Sequence, residues 1–439
     1  MSTPRSRGGP GRRLILLTLF GLVLLGIAAP HAAAQDEETG VGGTLRSRGT
    51  GPDGEDEFIS GVELTVFDES GNEVGSAVTG DDGTWSVAVP GPGLYEVELN
   101  QETLPEGLPL RDPERSRLEA EVDPDTVRNV LFPLGERIGS DDNTIRIVQN
   151  LVDGIKFGLI IAMCAIGLSL IFGTTGLVNF AHGEMVTIGA TMAFLFNVNG
   201  VFGVQFQLII AAILAMIVAG IGGYAFDGLV WSKLRARGSS LISMLVVSIG
   251  FAIALRYLIL FQFGGRPRTY ADYAIQEQID FGWFKLVPKD VVIIVLALTI
   301  LVGVGLSLQL TRIGKAMRAV ADNRDLAESS GIDVERVIRT VWITGAALTG
   351  LGGVLFGLTE AITWEMGFRL LLLMFAGVTL GGLGTAYGAL FGSLIVGVFI
   401  QLSTQVIPAD MKNVGALLML VVILLVRPQG LLGRAERIG

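Results

Sequence analysis

Polar residues interrupt an otherwise apolar part of this sequence between residues 176 and 189, which read GLVNFAHGEMVTIG. The side chains there that could act chemically are Asn179, His182 and Glu184. Ionisable groups are costly at membrane depth and usually face a cavity or one another. Two interpretations are open for a membrane-spanning chain. These residues line or gate a translocation path, or Asn179 and His182 cap backbone exposed at a helix break.

A charged segment from Arg312 to Arg339 is the second candidate. It reads RIGKAMRAVADNRDLAESSGIDVERVIR, and long apolar runs lie on both sides of it. An unpaired Arg or Lys is costly inside a bilayer, and an excess of basic residues marks cytoplasmic segments. Within the segment, Asp322 or Asn323 could cap a short helix that Gly331 ends. Such a helix suits insertion into a cleft on a cytoplasmic motor protein, and an ordinary solvated loop is the alternative.

The sequence contains few residues that could support enzymatic catalysis. The only Gly-Lys pair, at 314–315, is followed by Ala and lacks the upstream Gly of a P-loop, so ATP binding by that route is not expected. His31 and His182 are the only histidines, and no nucleophile–base pattern accompanies them. The single cysteine, Cys164, excludes an internal disulfide, and without a Cys/His cluster no metal site is predicted. We expect a chain that is not an enzyme and binds no cofactor.

Composition indicates an integral membrane protein. Half of the 439 residues are hydrophobic and the mean hydropathy is +0.58, although 17% of the residues are charged. The net charge of −10 is unevenly distributed, because residues 35–142 are strongly acidic whereas the remainder is mildly basic. An acidic front and a basic back suggest two bodies in two compartments.

The first 146 residues predict an exported front end. Residues 1–34 combine a basic start, an apolar run and the cleavage signal Ala32-Ala33-Ala34, the pattern of a secretory signal peptide; an uncleaved first helix is the alternative. Residues 35–59 are acidic and Gly-rich and are interpreted as a linker. A small β-sandwich is expected over 60–135 and a tether over 136–146.

Alternation of apolar and polar residues supports the sandwich. Val62, Leu64 and Val66 share one face, and the same period recurs around Trp85 and Tyr95 between Gly/Pro turns. The pattern GVELTVFDESG…TGDDGTWSVAVPGPGLYEVEL resembles the carboxypeptidase-regulatory-like and Cna-B-like modules of secreted proteins. Asp81 and Asp82 are interpreted as turn formers rather than calcium ligands.

Long apolar stretches dominate from residue 147 onward, and they predict an all-α membrane bundle of eight or nine spans. The stretch 370–383 is short and the break at 172–177 is tight, so either could mark a half-helix or re-entrant segment. The stretches are 147–172, 177–196, 206–231, 241–263, 291–310, 337–358, 370–383, 389–406 and 414–426. With the front end outside, Lys and Arg accumulate in cytoplasmic segments and the C-terminus lies inside.

Four runs in this region resemble the permease subunits of branched-chain amino acid ABC importers. They are GLSLIFGTTGLVNFAHGEMVTIGA, GKAMRAVADNRDLAESSGIDVERVI, FAGVTLGGLGTAYGALFGSLIVGV and LLVRPQGLLGR, in family order over about residues 143 to 434. The resemblance implies a plasma (inner) membrane permease that pairs with a second related permease. It further implies two cytoplasmic ABC ATPases that use ATP, an extracytoplasmic amino-acid-binding protein, and no nucleic acid.

The resemblance also places an ATPase-coupling helix near 322–331. Its candidate contacts are Arg318, Asp322, Arg324, Asp325 and Gly331. The signal peptide and sandwich depart from the typical family pattern and leave the partner at the outer face open. Alternatives are a permease for urea or short amides, a proton-coupled transporter with Glu184 and His182 as relay, and a membrane-anchored adhesion or scaffold protein.

Overall fold

The computed structural model describes residues 39–47, 57–105, 108–110, 116–122, 127–130, 132, 134, 143–200, 204–273, 276, 278–407, 411–426 and 430–431. The predicted signal peptide and most of the predicted tether lie outside the described residues. The chain divides into two compact units, and the boundary falls between residues 142 and 143. We describe each unit by itself.

The N-terminal unit is built mainly from β-strands. They are β1 (Gly40–Thr44), β2 (Arg46–Ser47), β3 (Glu57–Phe58), β4 (Glu63–Asp68), β5 (Glu73–Val78), β6 (Thr84–Ala88), β7 (Gly93–Leu99), β8 (Arg117–Val122) and β9 (Val127–Asn129). A three-stranded sheet has the order β6-β1-β9, a four-stranded sheet has the order β5-β4-β7-β8, and β2 pairs with β3. All of these pairs are antiparallel except β1 with β9.

The predicted alternation is confirmed in the core of this unit. Val62, Leu64 and Val66 are fully buried, and they share one hydrophobic cluster with Trp85 and Tyr95 from the later strands. Two-residue periodicity buries alternate side chains of a strand, which is why the sequence pattern identified these faces. The relationship to a particular sandwich family stays a prediction.

The N-terminal unit begins earlier than the sequence suggested, so the linker prediction for 35–59 is wrong where strands occupy it. Strand β1 lies inside that range and is the central strand of its sheet. Its glycines serve close packing, because a Cβ at Gly42 would lie 2.8 Å from the carbonyl oxygen of Trp85. Glycine here marks a close backbone approach rather than a flexible arm.

The second unit is helical. Besides its helices it contains two π-helical turns, 195–199 and 227–231, and the hairpin β10 (Ile279–Asp280) and β11 (Lys285–Leu286). The helices are α1 (Asn143–Thr175), α2 (His182–Phe194), α3 (Leu208–Phe226), α4 (Ser232–Ala236), α5 (Leu241–Phe263), α6 (Pro288–Leu310), α7 (Arg312–Asp322), α8 (Arg324–Ser329), α9 (Val334–Thr359), α10 (Met366–Gly381), α11 (Ala386–Ser403) and α12 (Lys412–Val426).

Side-chain caps set several of these helix starts. Ser240 caps α5 by accepting from the Ser243 N–H, and Asp333 caps α9 by accepting from the Arg336 N–H. These acceptors satisfy backbone donors that have no partner within the helix. The start of α9, which lies within the charged segment, is therefore fixed by local chemistry.

Small residues bring the central helices together. A Cβ at Gly167 of α1 would lie 2.6 Å from the carbonyl oxygen of Gly345 in α9, and one at Gly158 would lie 2.9 Å from the Cα of Leu394 in α11. Close backbone approach through Gly is a common packing mode of membrane helices. Helices α1 and α9 are consequently the most buried of the long apolar helices. In their most apolar 18-residue stretches, 83% and 72% are buried.

Six helical segments in the described part of the chain are long and apolar enough to cross a membrane. They are Thr144–Thr175, Leu208–Ala236, Leu241–Phe263, Pro288–Leu310, Val334–Thr359 and Ala386–Ser403. Helices α2, α10 and α12 coincide with the remaining predicted apolar stretches but are shorter, at 13, 16 and 15 residues. The predicted count of eight or nine spans therefore stays a prediction.

Candidate functional site

The polar cluster lies at a break between two helices. Helix α1 ends at Thr175, Gly176 adopts a left-handed φ of 68°, and α2 begins at His182. The side-chain oxygen of Asn179 accepts from the Ala181 N–H at 3.1 Å, and it thereby holds the turn that starts α2. Asn179 therefore satisfies one backbone donor of the turn, whereas the described residues provide no side-chain cap for the first turn of α2 itself. The side-chain amide nitrogen of Asn179 is buried without a hydrogen-bond partner among the described residues. Both interpretations from sequence stay predictions.

His182 points into the packed interior of the helical unit. Its Nε2 lies 3.2 Å from the Cys164 carbonyl oxygen of α1 and 2.9 Å from the Thr349 hydroxyl of α9. The Thr349 hydroxyl lies 2.8 Å from the Gly345 carbonyl oxygen and can donate its proton there. A proton on Nε2 can then be shared between two acceptors, the Cys164 carbonyl oxygen and the Thr349 hydroxyl oxygen, so that all three contacts are hydrogen bonds. His182 thus ties three helices together, and its Nδ1 is left without a partner in the described structure.

Glu184 forms an ion pair with Arg256 of α5. Its Oε1 accepts from the Arg256 Nε at 3.0 Å and from Nη2 at 2.9 Å, whereas Oε2 is buried without a partner among the described residues. The guanidinium carbon lies 4.0 Å from the centroid of the Phe368 ring, which supplies a cation–π contact from α10. The pair therefore joins α2 to α5.

This ion pair lies far from both ends of α5. Arg256 follows Leu241 by 15 residues and precedes Phe263 by seven, which places it roughly 22 Å and 10 Å from the two ends. The Arg256 side chain is 15% exposed and that of Glu184 is fully buried. A charge in the middle of an apolar helix requires a paired or aqueous surrounding, and Glu184 provides the pair.

His182 and Glu184 do not contact one another in the structure. They are two residues apart on α2, and 100° of rotation per residue directs them to opposite sides of the helix. His182 contacts α1 and α9, whereas Glu184 contacts α5. A direct proton relay between these two side chains has no geometric support.

Glycines fix α2 in the position that this arrangement needs. A Cβ at Gly183 would lie 2.6 Å from the carbonyl oxygen of Gly367 in α10, and the Gly367 N–H donates to the Thr187 hydroxyl at 3.1 Å. The backbones of α2 and α10 therefore touch next to Glu184. This contact also brings Phe368 to the face of Arg256.

The charged segment folds into α7 and α8, followed by the start of α9. Of the two predicted caps, Asp322 and Asn323, it is Asn323 whose side-chain oxygen accepts from the Leu326 N–H, at 2.9 Å. Gly331 follows the helix with a φ of 85°. Both helix-end predictions are confirmed. All five predicted coupling residues are exposed on this segment: Arg318, Asp322, Arg324, Asp325 and Gly331.

An apolar side chain is exposed among these charges. Leu326 of α8 is 64% exposed, whereas its neighbour Ala327 is buried against the helical unit. Arg324 of the same helix forms an ion pair with Glu335 of α9 at 3.4 Å. The segment therefore presents a polar surface with one protruding leucine.

Sequence reasoning missed two groups of ionisable residues. Lys156 of α1 lies 3.1 Å from the Asp290 carboxylate of α6, and both side chains are 10% exposed. Arg235 pairs with Asp227 at 2.8 Å and with Glu335 at 2.9 Å. The available signal was the isolation of Lys156 and Asp227 within apolar stretches, which requires a partner inside a membrane.

Comparison with known families assigns the helical unit. The model of the family "Branched-chain amino acid transport system / permease component" matches residues 150–426. The match begins within α1 and ends with α12, so it covers the helical unit and excludes the β-strand unit.

Individual relatives have corresponding names. The high-affinity branched-chain amino acid transport system permease protein BraD of Pseudomonas aeruginosa is 29% identical over 298 residues, covering 66% of this chain and 96% of that protein. The permease protein LivH of Escherichia coli is 28% identical over 303 residues, with the same coverages. The permease protein LivM of Escherichia coli is 25% identical over 338 residues, covering 71% of this chain and 76% of that protein.

Proposed function

This chain belongs to the branched-chain amino acid transport permease family, and from that premise we propose that it is the transmembrane subunit of an ATP-driven importer of branched-chain or related amino acids. The single observation that carries the proposal is the family match over 150–426, which includes both the polar cluster and the charged segment. The six apolar helices agree with a multi-pass membrane protein.

Division of labour among subunits is part of the proposal. Two cytoplasmic ABC ATPases would hydrolyse ATP, because the sequence has no P-loop of its own. A second related permease would complete the path, and relatives named LivH and LivM support a system with two kinds of permease. An extracytoplasmic binding protein would deliver the amino acid.

The distribution of charge supports the proposed orientation. Basic residues concentrate in α4, in the segment 312–339 and after α12, which favours the cytoplasm for these regions. Residues 35–142, which include the β-strand unit, would then lie outside the cell, after a signal peptide over residues 1–34. We propose that the β-strand unit is a β-sandwich that guides docking of the binding protein or contacts the envelope.

The ion pair of Glu184 and Arg256 is the proposed polar element of the translocation path or its gate. Its support is an unpartnered carboxylate oxygen and a partly exposed guanidinium far from both ends of α5. Asn179 and His182 are included in the proposal because each retains a buried polar atom without a partner among the described residues. These atoms require water, solute or a moved side chain as a partner during transport.

The segment formed by α7 and α8 is the proposed ATPase-coupling surface, with Arg318, Asp322, Arg324, Asp325 and Gly331 as its contact or shaping residues. Leu326 would enter an apolar recess on the ATPase while the surrounding charges pair at its rim. This division between a buried apolar anchor and a polar rim is typical of protein interfaces.

Uptake by the reconstituted complex tests the proposal. Proteoliposomes would contain this chain, the second permease and the two ATPases, with the binding protein outside and ATP inside, and labelled leucine as cargo. We expect uptake that requires ATP and survives a protonophore. Uptake that collapses with the protonophore would instead support the proton-coupled alternative, and uptake of labelled urea without leucine would support the amide permease.

A further inference from the structure

Four charged side chains connect the proposed coupling segment to the membrane helices. Glu335, in the first turn of α9, lies between two arginines: Arg235 of α4 at 2.9 Å and Arg324 of α8 at 3.4 Å. The Arg235 guanidinium also contacts the Asp227 carboxylate at 2.8 Å. We call these residues, Asp227, Arg235, Arg324 and Glu335, the loop-anchoring network.

Burial increases along the network from the segment toward the helices. The side chains of Arg324 and Glu335 are 42% and 44% exposed, whereas those of Arg235 and Asp227 are 7% and 2% exposed. An exposed ion pair is easily broken and remade, whereas a buried pair holds its geometry because either partner alone is strongly disfavoured. The network is therefore rigid at Arg235 and exchangeable at Arg324.

An aromatic cluster continues from the rigid end. Trp231 stacks on Trp342 of α9 with ring centroids 6.0 Å apart, and Phe226 meets both rings edge-on. The Phe226 ring also lies 5.2 Å from that of Phe251 in α5. Phe251 precedes Arg256 by five residues on the same helix, so the backbone of α5 connects the aromatic cluster to the ion pair of the proposed path.

We propose that Arg235 and Glu335 are positioning residues that transmit displacement of the coupling segment to α3 and α5. This inference rests on the proposed function. When an ATPase displaces α8, the exposed pair of Arg324 and Glu335 opens or closes, and Arg235 passes the change to the buried end of α3. Displacement of α5 then alters the contact between Arg256 and Glu184.

A purely structural role for the network predicts a different result. If Arg235 only stabilises the fold, its loss lowers the amount of intact complex but leaves the ratio of transported leucine to hydrolysed ATP unchanged. Transmission requires that this ratio falls in correctly assembled complexes. The ratio therefore separates the two roles.

The experiment compares four variants in the reconstituted complex: Arg235→Gln, Arg235→Lys, Glu335→Gln and, as the matched control, Lys233→Gln. Lys233 is an exposed basic residue of α4 outside the network. We expect Arg235→Gln and Glu335→Gln to lower leucine uptake per ATP at least about fivefold, which is within the usual range of coupling between sites. Arg235→Lys should restore most of the ratio, and Lys233→Gln should match the wild type.

Two results would overturn this inference. One is an unchanged ratio in Arg235→Gln at equal complex content. The other concerns Arg324→Ala, Glu335→Ala and their double variant. If the two single losses of leucine uptake per ATP add fully in the double variant, the residues do not act through one contact, because the effects of residues that share a contact are not additive. If the wild-type complex itself shows no ATP-dependent uptake of leucine, the proposed function fails instead, and the two failures are thereby distinguished.

Discussion

The guanidinium of Arg256 holds one carboxylate oxygen of Glu184 at 2.9 and 3.0 Å and leaves the other oxygen without a partner among the described residues. The pair joins α2 to α5, and α5 otherwise has one of the two lowest buried shares among the apolar spans, at 22%. An electrostatic contact thus holds a weakly packed helix against a tightly packed one. Such a contact can change without disturbing the interior around α1 and α9.

Removing one partner of this pair should disturb both stability and uptake. We expect Glu184→Gln to lower the free energy of unfolding by roughly 3–5 kcal/mol, because it leaves the Arg256 charge uncompensated. The double variant Glu184→Gln with Arg256→Gln should be more stable than either single variant, yet inactive in uptake. Thermal unfolding in detergent and leucine uptake measure the two effects, and normal uptake by the double variant would contradict the proposed path.

His182 should behave as a hydrogen-bonded link rather than a titrating relay. His182→Gln retains a donor near the Cys164 carbonyl and the Thr349 hydroxyl, so we expect near-wild-type stability and uptake with an unchanged pH profile. His182→Ala removes the donor and should cost about 1–3 kcal/mol. The comparison of the two variants by thermal unfolding and by uptake between pH 6 and 8 tests this, and loss of pH dependence in His182→Gln would support the relay.

The contact between Gly183 and Gly367 should tolerate no side chain. Gly183→Ala places a Cβ 2.6 Å from a backbone oxygen and should cost about 1–3 kcal/mol through displacement of α2 from α10. Gly250→Ala in α5 is the matched control, because no atom lies within 4 Å of its added Cβ. The control should be neutral or slightly stabilising, and equal effects of both substitutions would argue against the close contact.

The exposed face of α8 should be required for productive contact with the ATPases. We expect Leu326→Asp to weaken co-purification of the ATPases at least about tenfold, since it places a charge in an apolar recess. Leu326→Met keeps the apolar volume and serves as the control.

The double variant Arg324→Ala with Asp325→Ala should retain ATPase binding and hydrolyse ATP without matching uptake, and normal uptake by a correctly inserted double variant would count against the role of this segment.

Asp82 should stabilise its turn as a hydrogen-bond acceptor, without calcium. The Thr84 hydroxyl and N–H donate to its carboxylate at 2.6 and 3.0 Å, and these bonds lower the pKa of Asp82 below its ordinary value. Because the folded pKa is depressed, this stabilisation is present at neutral pH and is lost as pH falls through the folded pKa.

Hydrogen exchange at the Thr84 amide measures the contribution of Asp82. We expect Asp82→Ala to accelerate exchange at pH 7 and to have little effect at a pH below the folded pKa. Asp81→Ala is the control, since the Thr84 hydroxyl and N–H donate to Asp82 rather than to Asp81. If calcium slowed exchange of the Thr84 amide in the wild-type protein, that result would support Asp81 and Asp82 as calcium ligands instead.

Local patterns identified the parts of this chain that depend on local physics. Alternation located the buried faces around Val62 and Trp85, hydropathy located every long apolar helix, and cap chemistry located α8 between Asn323 and Gly331. The linker prediction failed at β1 because glycine signals both flexibility and close approach. Only pairing with β6 and β9, far along the sequence, distinguishes these two uses.

The sequence by itself determined the class of the protein, its two-part organisation and the segments proposed to carry function, since composition and periodicity are properties of neighbouring residues. Only the tertiary structure decided the partners of those residues. Glu184 meets Arg256 across 72 residues, and Glu335 meets Arg235 across 100. The direction of a side chain on a helix changes by about 100° with each residue. The different partners of His182 and Glu184 could therefore be identified only once the packing of α2 against α1, α5 and α10 was known.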